Sequence, residues 1–287
     1  MKSILVQLDT DAQPSLFDRV VAVDAGVDEL FSYAGVTPDN VEGLVHGAIF
    51  TRAPKELRNT ALFVGGSQAA AGDALLARIL KTFFGPMRVS VLVDSNGSNT
   101  TAAAAVLAAQ KHVALSGARF LVLGGTGPVG QRAAQILAAQ GADVVLASRS
   151  RERAEAACTA LRKAAPACRL TAAEVDGRRG LREALAGAVG VIAAGAAGVE
   201  LLPAADLAAA SSLRVAIDLN AVPPAGIGGV NPAEKGTERN GVFCYGAIGV
   251  GGAKMKIHRA CIQKLFERND LVLDTMAVYE VAASLPP

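Results

Sequence analysis

The chain has 287 residues, enough for one large domain or two ordinary ones. It is 51% hydrophobic and 19% charged, with a mean hydropathy of +0.35, which excludes a disordered chain. With 28 Lys+Arg against 26 Asp+Glu, 4% aromatics and no Trp, it shows neither a basic nucleic-acid surface nor a base-stacking platform.

The amino-terminal stretch is apolar for too few residues before Asp9 to read as a signal peptide. Ile4–Leu8 predicts a strand, Ser15–Val23 a helix with Pro14 near its start, and Leu30–Tyr33 a second strand. Ala61–Val64 followed by Gly65-Gly66 reads as a buried strand ending in a glycine turn, with a helix running on to about Lys81. Arg88–Val93 predicts a strand that ends at Asp94-Ser95-Asn96-Gly97-Ser98-Asn99-Thr100-Thr101. That loop combines turn formers with helix-capping residues, and a helix over Thr101–Val113 follows, so a domain border is expected there.

The second half alternates more regularly. Strands are expected at Phe120–Leu123, Val144–Ala147, Arg169–Glu174, Gly190–Ala194 and Arg214–Leu219. Helices are expected up to Gln140, then at Arg151–Lys163, Leu181–Ala186 and Ala204–Ala210, with Gly141 as a C-cap and a largely helical stretch over Gly252–Ala283. Such alternation predicts an α/β fold: a Rossmann-type parallel-sheet dinucleotide-binding domain plus an N-terminal α/β domain, with a cleft between them. The expected boundaries are 1–98, 99–251 and 252–287, the last a set of C-terminal helices packing back on the body. The longest uncharged apolar run, Ala184–Val199, is shorter than a membrane span and carries four glycines, so no membrane contact is expected. Cys158, Cys168, Cys244 and Cys261 form no metal-ligand spacing and are read as reduced thiols of a cytoplasmic protein; His46, His112 and His258 are scattered, so no metal site is expected.

Gly125-Thr126-Gly127-Pro128-Val129-Gly130 matches G-x-G-x-x-G, follows a strand and opens a helix, which is the context a dinucleotide turn requires. Gly125 is expected to permit the tight turn, Gly127 the approach of a pyrophosphate and Gly130 close helix packing. An NAD site usually has Asp or Glu at the carboxyl end of the next strand. Asp143 sits at the amino end instead, more than 10 Å away at about 3.3 Å per residue. The carboxyl end reads Ser148-Arg149-Ser150-Arg151, which suits a 2′-phosphate and predicts NADP, with NAD weaker. Ligands of open α/β sheets lie beyond the carboxyl ends of strands, which selects Ala193-Ala194-Gly195, Asp218-Leu219-Asn220 and the 94–101 loop.

Several segments are long and unusual: QLDTDAQPSLFD (Gln7–Asp18), GVTPDNV (Gly35–Val41), FVGG (Phe63–Gly66), FFGP (Phe83–Pro86) and DSNGSNTTAA (Asp94–Ala103). GTGPVG (Gly125–Gly130), NAVPPAGIGG (Asn220–Gly229) and GAIGVGGAKMKIHRACIQKLFE (Gly246–Glu267) complete them. With these the chain resembles, over nearly its whole length, the NADP-dependent methylene-tetrahydromethanopterin dehydrogenases of methylotrophic bacteria, whose members also use methylene-tetrahydrofolate. The resemblance implies hydride transfer from the N5,N10-methylene bridge to NADP, giving the methenyl form, in one-carbon metabolism. It also implies a homo-oligomer, a trimer by family habit. The product cation is delocalised over two nitrogens and no proton need move, so placement of the reacting carbons matters more than an acid or base.

Site residues follow from that reading. Lys254, near an expected helix start where its charge opposes the dipole, is the catalytic candidate; a lysine has a site role in related folate dehydrogenase/cyclohydrolases. Lys256, on roughly the opposite face, and His258, on the same one, are further candidates for the substrate. Asp9, Asp11 and Asp18 suit pterin N–H donors, Phe17 a pterin ring, and Asp94 and Ser98 the substrate side of the border loop. Thr100, Thr101 and Asn220 are candidates for the cofactor. Capping and turn formation are the competing roles of Asp9, Asp11, Ser98, Thr100 and Thr101. Two other classes fit the dinucleotide turn alone: a shikimate-dehydrogenase-like ketone reductase and a non-catalytic NADP sensor.

Overall fold

The computed structural model describes residues 1–165 and 168–286, with the side chain of Ala164 left aside. Two compact units divide it: residues 1–100 with 255–287, and residues 101–254.

The first unit carries a five-stranded parallel sheet. Its strands are β1 (Ile4–Asp9), β2 (Glu29–Tyr33), β3 (Thr60–Gly65), β4 (Ser90–Val93) and β12 (Val272–Leu273), in the order β12-β4-β3-β1-β2. Helix α1 (Leu16–Asp24) starts at Ser15, whose side chain accepts the Asp18 N–H. Helices α2 (Glu42–Phe50) and α3 (Ala69–Thr82) bury Val45, Ile49, Leu75 and Ile79 with Val6, Leu8, Leu62 and Val91 in one core. The strand over 88–93 is shorter than expected, because the chain makes a tight turn at Phe84–Met87 before Ser90. Chain order β2-β1-β3-β4 reverses direction between β1 and β3, a topological switch point of the flavodoxin-like kind.

The second unit carries β5 (Arg119–Leu123), β6 (Asp143–Ser148), β7 (Arg169–Glu174), β8 (Gly190–Ala193), β9 (Val215–Asp218), β10 (Lys235–Arg239) and β11 (Val242–Tyr245). Their order is β10-β11-β9-β8-β5-β6-β7, parallel except for the edge hairpin β10–β11. Without β10 this is the dinucleotide-binding order 3-2-1-4-5-6, switching direction between β5 and β8. Helices α5 (Pro128–Ala139), α6 (Arg151–Ala164), α7 (Arg178–Leu185) and α8 (Ala204–Ala209) alternate with the strands. On one face Leu121, Val145, Val191 and Ala216 pack with Leu181, Leu185 and Leu202. The α7–α8 corner is tied by buried Asp206, which accepts from Arg178 (2.8 Å) and Arg182 (2.7 Å). Those arginines, Arg182 first, hold its carboxyl below the ordinary range.

Helices α4 (Ser98–Gln110) and α9 (Ala247–Lys264) run through the two divisions, and α10 (Thr275–Ser284) closes the chain. The helix expected from Thr101 thus begins three residues earlier, and the helical stretch expected from Gly252 begins at Ala247. Between α9 and α10, β12 joins the first sheet, a strand too short for its pattern to announce.

Candidate functional site

At the β5/β8 switch point the second unit has a cavity of about 420 Å³. It is lined by Gly124, Thr126, Gly127 and Pro128 on one side and by Ser148, Arg149, Ser150 and Arg153 on another. Val175, Ala194, Gly195, Ala196, Val199 and Leu201 complete it, with Leu123 and Ala147 at its base. Gly124, not Gly125, has the left-handed φ (+67°), and a Cβ there would lie 2.6 Å from Gly195 backbone. The tight turn is therefore assigned to Gly124, while a Cβ on Gly125 would stand 2.6 Å from the Leu146 side chain. Gly130 leaves room for the Gly124 carbonyl, 2.7 Å from where its Cβ would be. Gly127 is the N-cap of α5 and Pro128 its first residue, so the first-turn N–H groups after Pro128 open at the switch point. Val129, inside that first turn, does not line the cavity.

The arginine set differs in detail from the sequence expectation. Arg151 turns to Glu155 (2.8 Å) one helical turn on, whereas Arg153 lines the cavity with Arg149. Its position is set by the Ser150 cap, whose side chain accepts the Arg153 N–H. Among the described residues no carboxylate lines the cavity. The residues present fit a dinucleotide: a glycine turn without side chains for a pyrophosphate, and two arginines with two serines for an additional phosphate.

Asn220 is buried and spends its side chain on its own loop, donating to the Pro224 carbonyl (3.0 Å) and accepting from Val222 N–H (2.9 Å). Asp218 accepts the N–H groups of Asn220 (3.0 Å) and Ile227 (2.9 Å). Burial pushes its carboxyl above the ordinary value, against the pull of the Ile227, Asn220 and Gly226 N–H groups.

In the first unit the switch point lies between Asp9 and Gly65, which are register partners. Asp9 is fully buried and accepts the N–H groups of Asp11 (2.9 Å) and Ser15 (3.0 Å). Asp11 accepts from the N–H (2.9 Å) and hydroxyl (3.0 Å) of Ser67. Asp9 and Asp11 thus tie the β1 loop to itself and to the β3 loop. Asp18 approaches the same place: a Cβ on Gly65 would stand 3.1 Å from Asp9 Oδ2 and 3.7 Å from Asp18 Oδ2. Phe63 and His258 stack with ring centres 5.6 Å apart, and half-exposed Phe17 tilts towards His258 at 6.4 Å. Sequence reasoning missed Gln7, a buried amide in β1 that accepts the Ser32 hydroxyl (2.8 Å). A polar residue amid the apolar run Ile4–Leu8 was its signal.

Asp94 is fully buried and accepts the N–H groups of Asn99 (2.8 Å) and Thr100 (3.1 Å) and the Thr100 hydroxyl (2.6 Å). Ser98 donates to the Ser95 carbonyl (2.8 Å), and Thr101 is half-buried on α4. Lys254 is half-buried and Lys256 exposed. Because α9 begins at Ala247, Lys254 lies two turns inside it, and the dipole argument for its role falls: that effect fades within the first turn.

The four cysteines are free, and burial pushes Cys244 up to about 11. Among the described residues no group of three His, Cys, Asp or Glu could hold a metal ion, and no helix is long and apolar enough to cross a membrane.

Fold and pocket together define a two-unit α/β architecture whose second unit has the strand order and the switch-point cavity of dinucleotide-binding folds. Shikimate 5-dehydrogenase from Listeria monocytogenes shares the fold, with a TM-score of 0.54 and 15% identity over 98% of this chain and 96% of that one. A 5-ketofructose reductase from Gluconobacter does so with a TM-score of 0.51 and 15% identity, over 99% and 98%. Residues 16–96 match the family described as methylene-tetrahydromethanopterin dehydrogenase, N-terminal, and residues 118–199 match the KR domain family. "Bifunctional protein MdtA" of Methylorubrum extorquens is 48% identical over 286 residues, covering 99% of both chains. The "NAD(P)-dependent methylenetetrahydromethanopterin dehydrogenase" of the same organism is 34% identical, again over 99% of both. The chain belongs to the methylene-tetrahydromethanopterin dehydrogenase family and is an oxidoreductase.

Proposed function

We propose that the protein oxidises methylene-tetrahydromethanopterin, and also methylene-tetrahydrofolate, to the methenyl form, with NADP preferred to NAD. The observation that carries the reading is 34% identity, over 99% of both chains, to a protein named as a dehydrogenase of this substrate, joined to a cavity with two arginines and no carboxylate among its described lining residues. When bound, the nicotinamide ring supplies the hydride acceptor. The chain's own residues bind and orient. Gly127 and the first turn of α5 hold the pyrophosphate, with Thr126, Ala194 and Gly195 alongside. Arg149 and Arg153, with Ser148 and Ser150, hold the 2′-phosphate. The β1/β3 switch point of the first unit receives the pterin, with Phe17 as an apolar face and Asp18 as acceptor for ring N–H groups. Lys254 hydrogen-bonds the pterin nitrogens. No residue has to move a proton, so the enzyme works by bringing the methylene carbon to about 3–3.5 Å from its acceptor and excluding water. In this reading the enzyme is cytoplasmic and homo-oligomeric.

Initial rates at 340 nm test it. Fast NADP reduction that requires methylene-tetrahydromethanopterin is expected, slower with NAD, and enzyme-dependent hydrolysis of the methenyl product is expected to be negligible. No pterin-dependent reduction with either dinucleotide would refute the reading.

A further inference from the structure

The segment NAVPPAGIGG does not line the dinucleotide cavity, yet it is bound to a wall that does. That wall, residues 195–201, lies outside regular structure beyond β8. Leu201 packs on Gly195, with a methyl 2.6 Å from where a Cβ would stand. The N–H groups of Leu201 (2.8 Å) and Leu202 (3.1 Å) both donate to the Gly226 carbonyl, and Gly228 N–H donates back to the Leu202 carbonyl (2.7 Å). Gly226 is in turn fixed from β9. A Cβ there would lie 2.6 Å from Asp218 Oδ1 and 3.5 Å from Ala193 Cβ, so only glycine fits. Asp218, 1% exposed, grips the loop at both ends, accepting from Asn220 at its start and from Ile227 just past Gly226. A carboxylate that accepts several backbone N–H groups in a buried site is a rigid fixture, since each group would be left unsatisfied without it.

We infer that Asp218 is a positioning residue for the dinucleotide: through Gly226 it fixes Leu201 and hence the cavity wall facing the glycine turn. The inference rests on the reading of the cavity as a dinucleotide site. Asp218 touches no part of that cavity itself, so its influence is on affinity, and it falls alike on NADP and NAD. Arg149 and Arg153, by contrast, act on the ratio between them.

The test is Asp218→Asn, which keeps the size but puts an amide donor against a backbone N–H. Dinucleotide affinity is read by isothermal titration calorimetry and steady-state kinetics. Weakening of about tenfold is expected for NADP and by the same factor for NAD. The change should appear in the KM for the dinucleotide rather than in kcat or the pterin KM; loss of folded protein would lower kcat instead. Leu201→Ala trims the wall directly, leaves the Asp218 hydrogen bonds intact, and should shift both affinities in the same direction. Unchanged affinities in Leu201→Ala overturn the proposal even where Asp218→Asn does not fold, and so does an Asp218→Asn effect on NADP alone. Wild-type protein that binds neither dinucleotide would instead refute the cavity's assignment.

Discussion

Arg151 and Arg153 differ by two positions on one helix, and their partners separate them. Arg151 faces Glu155, while Arg153 stands with Arg149 at the cavity. A charge-assisted hydrogen bond to phosphate contributes about 1.5–3 kcal/mol. Arg149→Ala and Arg153→Ala should therefore each raise the KM for NADP about tenfold or more and spare that for NAD, with Arg151→Ala close to wild type. Equal effects on both dinucleotides would remove an arginine from the phosphate site. Asp206 offers a test of a different sort. Its folded carboxyl is held below the ordinary 3.8 by Arg182 and Arg178, so its stabilising effect is present above that value and is lost as the pH falls through the lower folded one. Asp206→Asn should lower the urea midpoint at pH 7, and the gap from wild type should close in strong acid. A gap that persists at low pH would mean that packing, not charge, ties that corner. At this scale the sequence discloses residue types well but not their partners: the side-chain facing of Arg151 depends on Glu155, and the work of Asp94 on a helix that starts at Ser98.

Elements were legible where apolar runs were long and flanked by glycine or caps, as in β3, β5 and β6. Helix α2, strand β12 and the two strands of the β10–β11 hairpin were not read. Helix α2 carries Gly43 and Gly47 and is apolar on most sides, which hides its period. Strand β12 has two residues and exists because β4 offers an edge. The β10–β11 hairpin did carry a signal, Asn240-Gly241, and both residues take the positive φ that such a turn demands (51° and 78°). Around it, however, Lys235–Arg239 is mostly exposed and shows no apolar alternation. The glycine turn between β5 and α5 gives the sharpest prediction for an element. Gly124→Ala adds a methyl at φ +67°, 2.6 Å from Gly195 backbone that has no flexible end to yield. Left-handed strain alone costs about 1–2 kcal/mol, and the clash adds to it. Calorimetric titration should show NADP binding lost or weakened at least tenfold; wild-type affinity would mean that the β5 and β8 ends are free to part. On α9, Lys254→Ala should lower turnover far more than Lys256→Ala, because Lys254 is half-buried and Lys256 is not. The reverse order would assign the pterin contact to the other face.

The molecule carries two sheets, one parallel and one parallel but for its edge hairpin, each with its own core and its own switch point. Each switch point collects motifs that sequence reading singled out: 7–18 and 63–66 in the first unit, 125–130 and 148–151 in the second. The motifs were legible because strand ends at a switch point cannot be filled by regular packing and so carry glycines, caps and charges. The chain's path was not: a first unit that takes its fifth strand from residues 272–273 has no local signature. Two separate ligand edges predict two separate footprints in amide hydrogen exchange. A ligand at one hundred times its Kd stabilises the region whose opening releases it by about 2.7 kcal/mol, a slowing of about a hundredfold. NADP alone should slow exchange at 124–131, 147–153 and 194–202, the last through the Gly226 bonds to Leu201 and Leu202. A tetrahydropterin alone should slow exchange at 9–18 and 63–67, where Asp9, Asp11 and Ser67 hold the loops together. Protection of 194–202 by the pterin but not by NADP would reverse the assignment of ligands to units. Protection of 124–131 without 194–202 would keep the glycine turn as the phosphate site and release the far wall from any part in binding.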